Sequence, residues 1–301
     1  MLVPSSELLL CAEVLVFGED VDAWEIRVAG NGEMKGTRVV VAGATGWAGS
    51  ALSRGIVEAA DLDLTGAVSR SRAGQRLGEV LGVAELGVEI SGTTEDALAS
   101  KPDVFVEYTH PSVARQNILA ALDAGAHVVV GTSGLTSDDY ESISHSAREK
   151  GLGVLACGNF SITAVLMMRF SEVAAQWVKS WEVIDYASAG KVDAPSGTAR
   201  ELAGRLAKVG HPEMAVPIGE TQGEKEARGA SFGGTQVHSI RLPSFVISIE
   251  SIFGQEDERL SIRHDAGSSA KPYVAGGLLA IRQVNKLVGV HRGLDTVMDV
   301  G

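Results

Sequence analysis

The sequence predicts an α/β protein with a parallel-sheet domain followed by a second, α+β domain built on a mixed or mostly antiparallel sheet. Three observations carry this reading. From Thr37 onward, short β-branched runs alternate with helical periodicities, the pattern of βαβ units. Those runs are apolar on both faces, as strands between two helix layers must be. Beyond Asn159 the texture changes to a long helical stretch and then several extended runs, the last two of which alternate in places.

In chain order, the first strands are Arg38–Ala42, Leu64–Val68, Val104–Tyr108, His127–Val130 and Gly153–Ala156, and the helices between them are Gly49–Ala60, Val113–Ala124 and Asp138–Lys150. A helix over Thr163–Val178, a strand over Ser180–Tyr186 and a helix over Thr198–Lys208 follow. The polar, glycine-rich segment from Gly219 to Thr235 reads as a mobile loop. Val237–Arg241, Phe245–Phe253 and Glu258–Asp265 read as extended runs, and Pro272–Leu287 as a closing helix that starts with Pro where a helix tolerates it. The first regular pattern begins only after Met34, so residues 1–34 are expected to be a weakly ordered leader with no part in chemistry.

With 301 residues, 45% of them hydrophobic, the chain can bury a sizeable core. Its net charge of −12, from 38 acids against 26 bases, opposes any general attraction to nucleic acid or to an anionic membrane surface. Neither is expected as a partner, and an anionic ligand would need its cations placed locally. The apolar stretch Leu8–Phe17 is far short of the roughly 20 residues of a spanning helix and lacks the basic start of a signal peptide. Two cysteines, Cys11 and Cys157, are too few for a disulfide framework, which fits a reduced, cytoplasmic setting.

Four segments carry candidate chemistry. In "VVVAGATGWAG" a strand runs into Gly43, Gly46 and Gly49, a spacing that lets the backbone turn tightly and approach a pyrophosphate at the next helix N-terminus. At the end of the second strand, Ser69, Arg70 and Arg72 offer cations where a carboxylate would bind the ribose of NAD, so NADPH is expected, with NADH possible. The loops "YTHPS" (Tyr108 to Ser112) and "VGTSG" (Val130 to Gly134) fall at carboxyl ends of strands, where ligands collect in such sheets. In "KVDAPSGTA" (Lys191 to Ala199), Ser196, Gly197 and Thr198 present amides and hydroxyls at a helix start, and Lys191 adds a charge and a transferable proton. The seven histidines show no ligand spacing, so no metal is expected. Cys157 reads as a small buried hydrophobe, with an acylated nucleophile as the lesser alternative.

Taken together, "VAGATGWAG", "YTHPSV", "VVGTSG", "GNFSITAVLM", "KVDAPSGTA", "VHSIRL", "LSIRHDA" and "GGLLAIR" resemble the dihydrodipicolinate (4-hydroxy-tetrahydrodipicolinate) reductase family of lysine and diaminopimelate synthesis, from about Lys35 to the C-terminus. The resemblance implies a Rossmann-like dinucleotide-binding domain over residues 35–160, completed by residues 272–301, and a domain over 161–271 that binds a small dicarboxylate and assembles a homotetramer. It implies hydride transfer from NAD(P)H to a cyclic, dicarboxylated imine. By position, Gly43, Ala44, Thr45, Gly46, Trp47 and Ala48 would hold the pyrophosphate, with Arg70 near the adenosine ribose. Tyr108, Thr109, His110, Gly131, Thr132, Ser133, Cys157, Gly158, Asn159 and Phe160 would border the nicotinamide. Lys191 would give the proton, and Ser196, Gly197 and Thr198 would grip the substrate.

One departure stands out. Family members usually carry a His-His-x-His-Lys run whose first histidine is assigned as proton donor or acceptor, and here those positions are Ala187, Ser188 and Gly190. Acid catalysis then falls on Lys191, with Tyr186, Ser188, Asp185 or water as alternatives. Two other readings remain: a paralogous reductase of a different imine, and a dinucleotide-binding regulator without turnover.

Overall fold

A computed structural model describes residues 36–83 and 85–299; the expected leader, residues 1–34, lies outside them. The strands are β1 (Thr37–Ala42), β2 (Leu62–Val68), β3 (Ile90–Ser91), β4 (Val104–Glu107), β5 (His127–Val130), β6 (Gly153–Ala156), β7 (Ser180–Ala187), β8 (Ala230–Phe232), β9 (Thr235–Arg241), β10 (Ile247–Gln255), β11 (Glu258–Ala266) and β12 (Gly289–Arg292). The helices are α1 (Trp47–Glu58), α2 (Leu77–Leu81), α3 (Thr94–Leu98), α4 (Pro111–Asp123), α5 (Ser137–Glu149), α6 (Ile162–Trp177), α7 (Gly197–Val209) and α8 (Pro272–Gln283).

Seven strands form one parallel sheet in the order β12-β6-β5-β4-β1-β2-β3. Strand order reverses between β1 and β4, which opens a crevice at their carboxyl ends. The β-branched runs bury both faces: Val39, Val41, Val106 and Val129 pack toward α1 and α8, and Val40, Phe105, Val128 and Val130 toward α4 and α5. Gly55 and Gly277 let α1 and α8 approach, since a Cβ on Gly55 would lie 2.4 Å from Val274.

The second sheet is mixed, in the order β11-β10-β7-β9-β8, with β7 and β9 parallel and the other pairs antiparallel. Helices α6 and α7 cover one face through Met168, Leu202 and Leu206 against Val183, Ile249 and Phe253. Alternation along the strands puts Glu182, Ile184, Tyr186, Ile240, Glu250 and Ile252 on the other face.

Three expectations are adjusted. The closing helix ends at Gln283, a 3-10 turn follows, and the chain returns as β12 on the edge of the parallel sheet. The expected loop 219–235 contains two 3-10 turns and β8. Tyr108 lies just beyond β4 instead of within it. No helix among the described residues is long and apolar enough to cross a membrane.

Candidate active site

The glycine loop has the geometry its spacing predicts. Gly43 holds φ +78°, and a Cβ there would lie 2.3 Å from the Tyr108 carbonyl oxygen. A Cβ on Gly49 would lie 2.1 Å from the Gly43 oxygen, so α1 can begin only this close to β1 if both residues are glycine. No side chain caps α1 at Gly46, which leaves its first-turn amides for a ligand. This cradle fits a dinucleotide pyrophosphate. The cleft above it, of about 780 Å³, is lined by Thr45, Gly46, Ser69, Arg70, Ser71, Thr93, Thr109 and His110. Thr45 and Ser69 hydroxyls meet at 2.8 Å, and Arg70 stands exposed at its rim. Trp47 is also exposed and sets its ring edge-on to Tyr273.

The loops after β4, β5 and β6 come together on the other side of the reversal point. Tyr108 packs so closely on Gly131 that a Cβ there would fall 2.0 Å from its ring, and it meets Phe160 edge-on at 5.7 Å. Burial raises the Tyr108 phenol and the Cys157 thiol well above their ordinary values, so neither ionises at neutral pH, and Cys157 is no activated nucleophile. His110 caps α4, with its Nδ1 accepting from the Ser112 amide and sharing a hydrogen bond with the Ser112 hydroxyl. Asn159 accepts from the Ser161 amide.

The KVDAPSGTA loop is fixed from below. Asp185, fully buried on β7, accepts from the Ser196 amide at 2.8 Å and the Ser196 hydroxyl at 2.7 Å, and pairs with Arg241 at 2.8 Å. Arg241 also donates to the Asp193 carbonyl at 2.7 Å, so one carboxylate and one guanidinium hold both ends of the turn. Ser196 also accepts from the Ala199 amide as the α7 cap, and it is buried. Its hydroxyl supports the cradle, while Gly197 and Thr198 are its more accessible members. Lys191 is partly exposed on the same loop, its Nζ 2.8 Å from Asp193, whose carboxyl this hydrogen bond holds below its usual value.

Two contacts join this loop to the cofactor side. A small cavity of about 30 Å³ is lined by Asn159 and Tyr273 together with Ser161, Ser196, Thr198 and His264. Across a larger cleft, Thr132, Ser133, Cys157 and Gly158 face Arg200 and Glu201 of α7. Tyr186 is not brought to this junction: its hydroxyl donates to Glu250 at 2.9 Å, and Arg263 lies over its ring, on the sheet face opposite Asp185. Burial first, then Glu250, raises its pKa. Ala187 is buried with no proton to exchange, and Ser188 is exposed in the following turn.

Sequence alone missed Glu107, Arg241 and His264. Glu107, the single acid in the apolar run "VFVEY", gave a readable signal: an ionisable residue inside a strand otherwise built for burial. The other two stand in the motifs VHSIRL and LSIRHDA, which marked the resemblance without assigning either residue a role.

Comparison with known proteins identifies the family. The family model described as "Dihydrodipicolinate reductase, N-terminus" matches residues 37–160, and its C-terminal counterpart matches 163–300. The chain is 36% identical to 4-hydroxy-tetrahydrodipicolinate reductase of Desulfitobacterium hafniense, covering 88% of this chain and 100% of that protein. It is 36% identical to the enzyme of the same name from Moorella thermoacetica, over 87% of this chain and 98% of that one. A solved structure, a dipicolinate-bound dihydrodipicolinate reductase from Paenisporosarcina sp. TG-14, superposes with a TM-score of 0.77 at 28% identity, over 87% of this chain and 100% of that one. With both family halves matched in order and relatives 36% identical over nearly their whole length, the chain belongs to the dihydrodipicolinate reductase family of NAD(P)H-dependent oxidoreductases.

Proposed function

We propose that this protein reduces a small cyclic dicarboxylated imine, with 4-hydroxy-tetrahydrodipicolinate as its substrate and NADPH as its reductant. The observation that carries the reading is the Ser196–Thr198 turn, locked by Asp185 and Arg241 and sharing a cavity with Asn159 and Ser161, while the α7 that it starts faces Thr132, Ser133, Cys157 and Gly158. When bound, the nicotinamide supplies a hydride. The chain's own groups orient and neutralise: Gly197 and Thr198 meet one substrate carboxylate at the start of α7, and Lys191 neutralises negative charge and gives the proton to the imine nitrogen. Arg70, with Ser69 and Ser71 beside it at the end of β2, supports NADPH over NADH, because the position where an acid would hold the NAD ribose carries a cation, the cleft's one lining carboxylate being Glu95 of α3. The open face of the second sheet, with Ile184, Ile240 and Ile252 among polar side chains, supports assembly as a homotetramer, and we assign the protein to the cytoplasm.

A specific observation favours a second reading. With Ala187 buried, Tyr186 turned to the far face and no imidazole before Lys191, the pocket matches its family in the cradle and differs at the proton donor. A paralogue acting on another carboxylated imine fits those facts. Mixing purified protein with NADPH and enzymatically generated substrate, while following nicotinamide absorbance, decides between them. Turnover is expected, with Lys191→Ala lowering kcat by about 10²–10⁴-fold. Turnover only on other imines favours the paralogue, and cofactor binding without any turnover favours a regulator. A Lys191→Ala variant with unchanged kcat removes Lys191 as the acid.

A further inference from the structure

Glu107 closes β4 beside the point where strand order reverses, and it is fully buried. Every group on its carboxylate is a donor from a neighbouring loop or helix. The Thr109 amide (2.6 Å) and the Thr109 and Thr132 hydroxyls reach Oε1, and Asn117 Nδ2 reaches Oε2 at 2.8 Å. The amides of Thr109 and Asn117 can only donate, one to each oxygen, so the arrangement suits the ionised carboxylate. Burial, the largest influence, opposes that charge and leaves the pKa above its ordinary value, although the four hydrogen bonds pull it down. No cation lies against it among the described residues. The same carboxylate ties the loop after β4 to the loop after β5, two loops that the family resemblance sets beside the nicotinamide.

We propose that Glu107 is a positioning residue that also acts as a fixed negative charge, favouring the oxidised, cationic nicotinamide over the neutral reduced one and so making the bound cofactor a stronger hydride donor. The inference rests on the reading of those loops as the nicotinamide border. Loss of a hydride turns a neutral ring into a cation, and a buried charge nearby acts with little screening. Glu107 itself takes up no proton and forms no bond in this role. A purely structural role would change the affinity for both redox forms alike, whereas a charge must change their ratio.

Dissociation constants for NADP⁺ and NADPH, measured by fluorescence titration of the full chain, read that ratio directly. In Glu107→Gln, NADP⁺ affinity is expected to fall about tenfold relative to NADPH, and Glu107→Asp, which keeps the charge, should hold the wild-type ratio. Should Glu107→Gln fail to fold, Glu107→Met is a second neutral variant for the same comparison. A neutral variant that weakens both nucleotides equally, or leaves the ratio unchanged, overturns the charge and leaves the dinucleotide reading standing. Wild-type protein that binds neither nucleotide overturns both.

Discussion

At the scale of single residues, the site depends on a few buried polar groups placed under a surface turn. Asp185 is the clearest: it accepts from both the amide and hydroxyl of Ser196 and pairs with Arg241, itself largely covered. Removing one partner of a buried pair leaves an uncompensated charge and typically costs about 3–5 kcal/mol. Asp185→Ala should therefore lower the thermal midpoint by roughly 5–15 °C, read by circular dichroism. A wild-type midpoint would show that the pair does not hold the turn. Lys191 and the Ser-Gly-Thr turn were legible because their residue types stand together in nine consecutive positions. Arg241 was not, because it acts on Asp185 from 56 positions away, and only the parallel pairing of β7 with β9 brings them together.

At the scale of elements, legibility follows length. Periodicity needs a window of roughly 11–18 residues to speak, so α1, α4, α5 and α6 were visible while α2 and α3, of five residues each, and β3, of two, were not. Strand β12 was lost because its four residues follow a 3-10 turn that extends the apparent helix of α8. The β1-to-α1 turn was legible because two of its glycines, Gly46 and Gly49, answer to the Gly43 carbonyl within the same turn. Gly49→Ala tests this: its Cβ would push into the Gly43 carbonyl. Overpacking of this kind costs about 1–3 kcal/mol, so calorimetric titration should show dinucleotide affinity reduced about tenfold or more. Unchanged affinity would mean that the cradle does not require that close approach.

At the scale of the whole molecule, the two sheets meet through a polar seam. Arg205 of α7 pairs with Asp295 beyond β12 at 3.0 Å, and with Glu172 of α6 and Glu201. Burial alone would raise the Asp295 carboxyl, but the Arg205 hydrogen bonds and charge outweigh it and hold its pKa below the ordinary value. The face of the second sheet that α6 and α7 leave uncovered carries the proposed tetramer. Sedimentation velocity should give a mass four times the 31.4 kDa chain; a species of one chain mass at micromolar concentration would rule that assembly out. The return of β12 to the margin of the parallel sheet has a consequence for biogenesis. Until the last strand leaves the ribosome, the outer edge of β6 has no partner. At roughly 5–20 residues per second of translation, the nascent protein carries an open, adhesive strand for several seconds while the whole of its second half is being made.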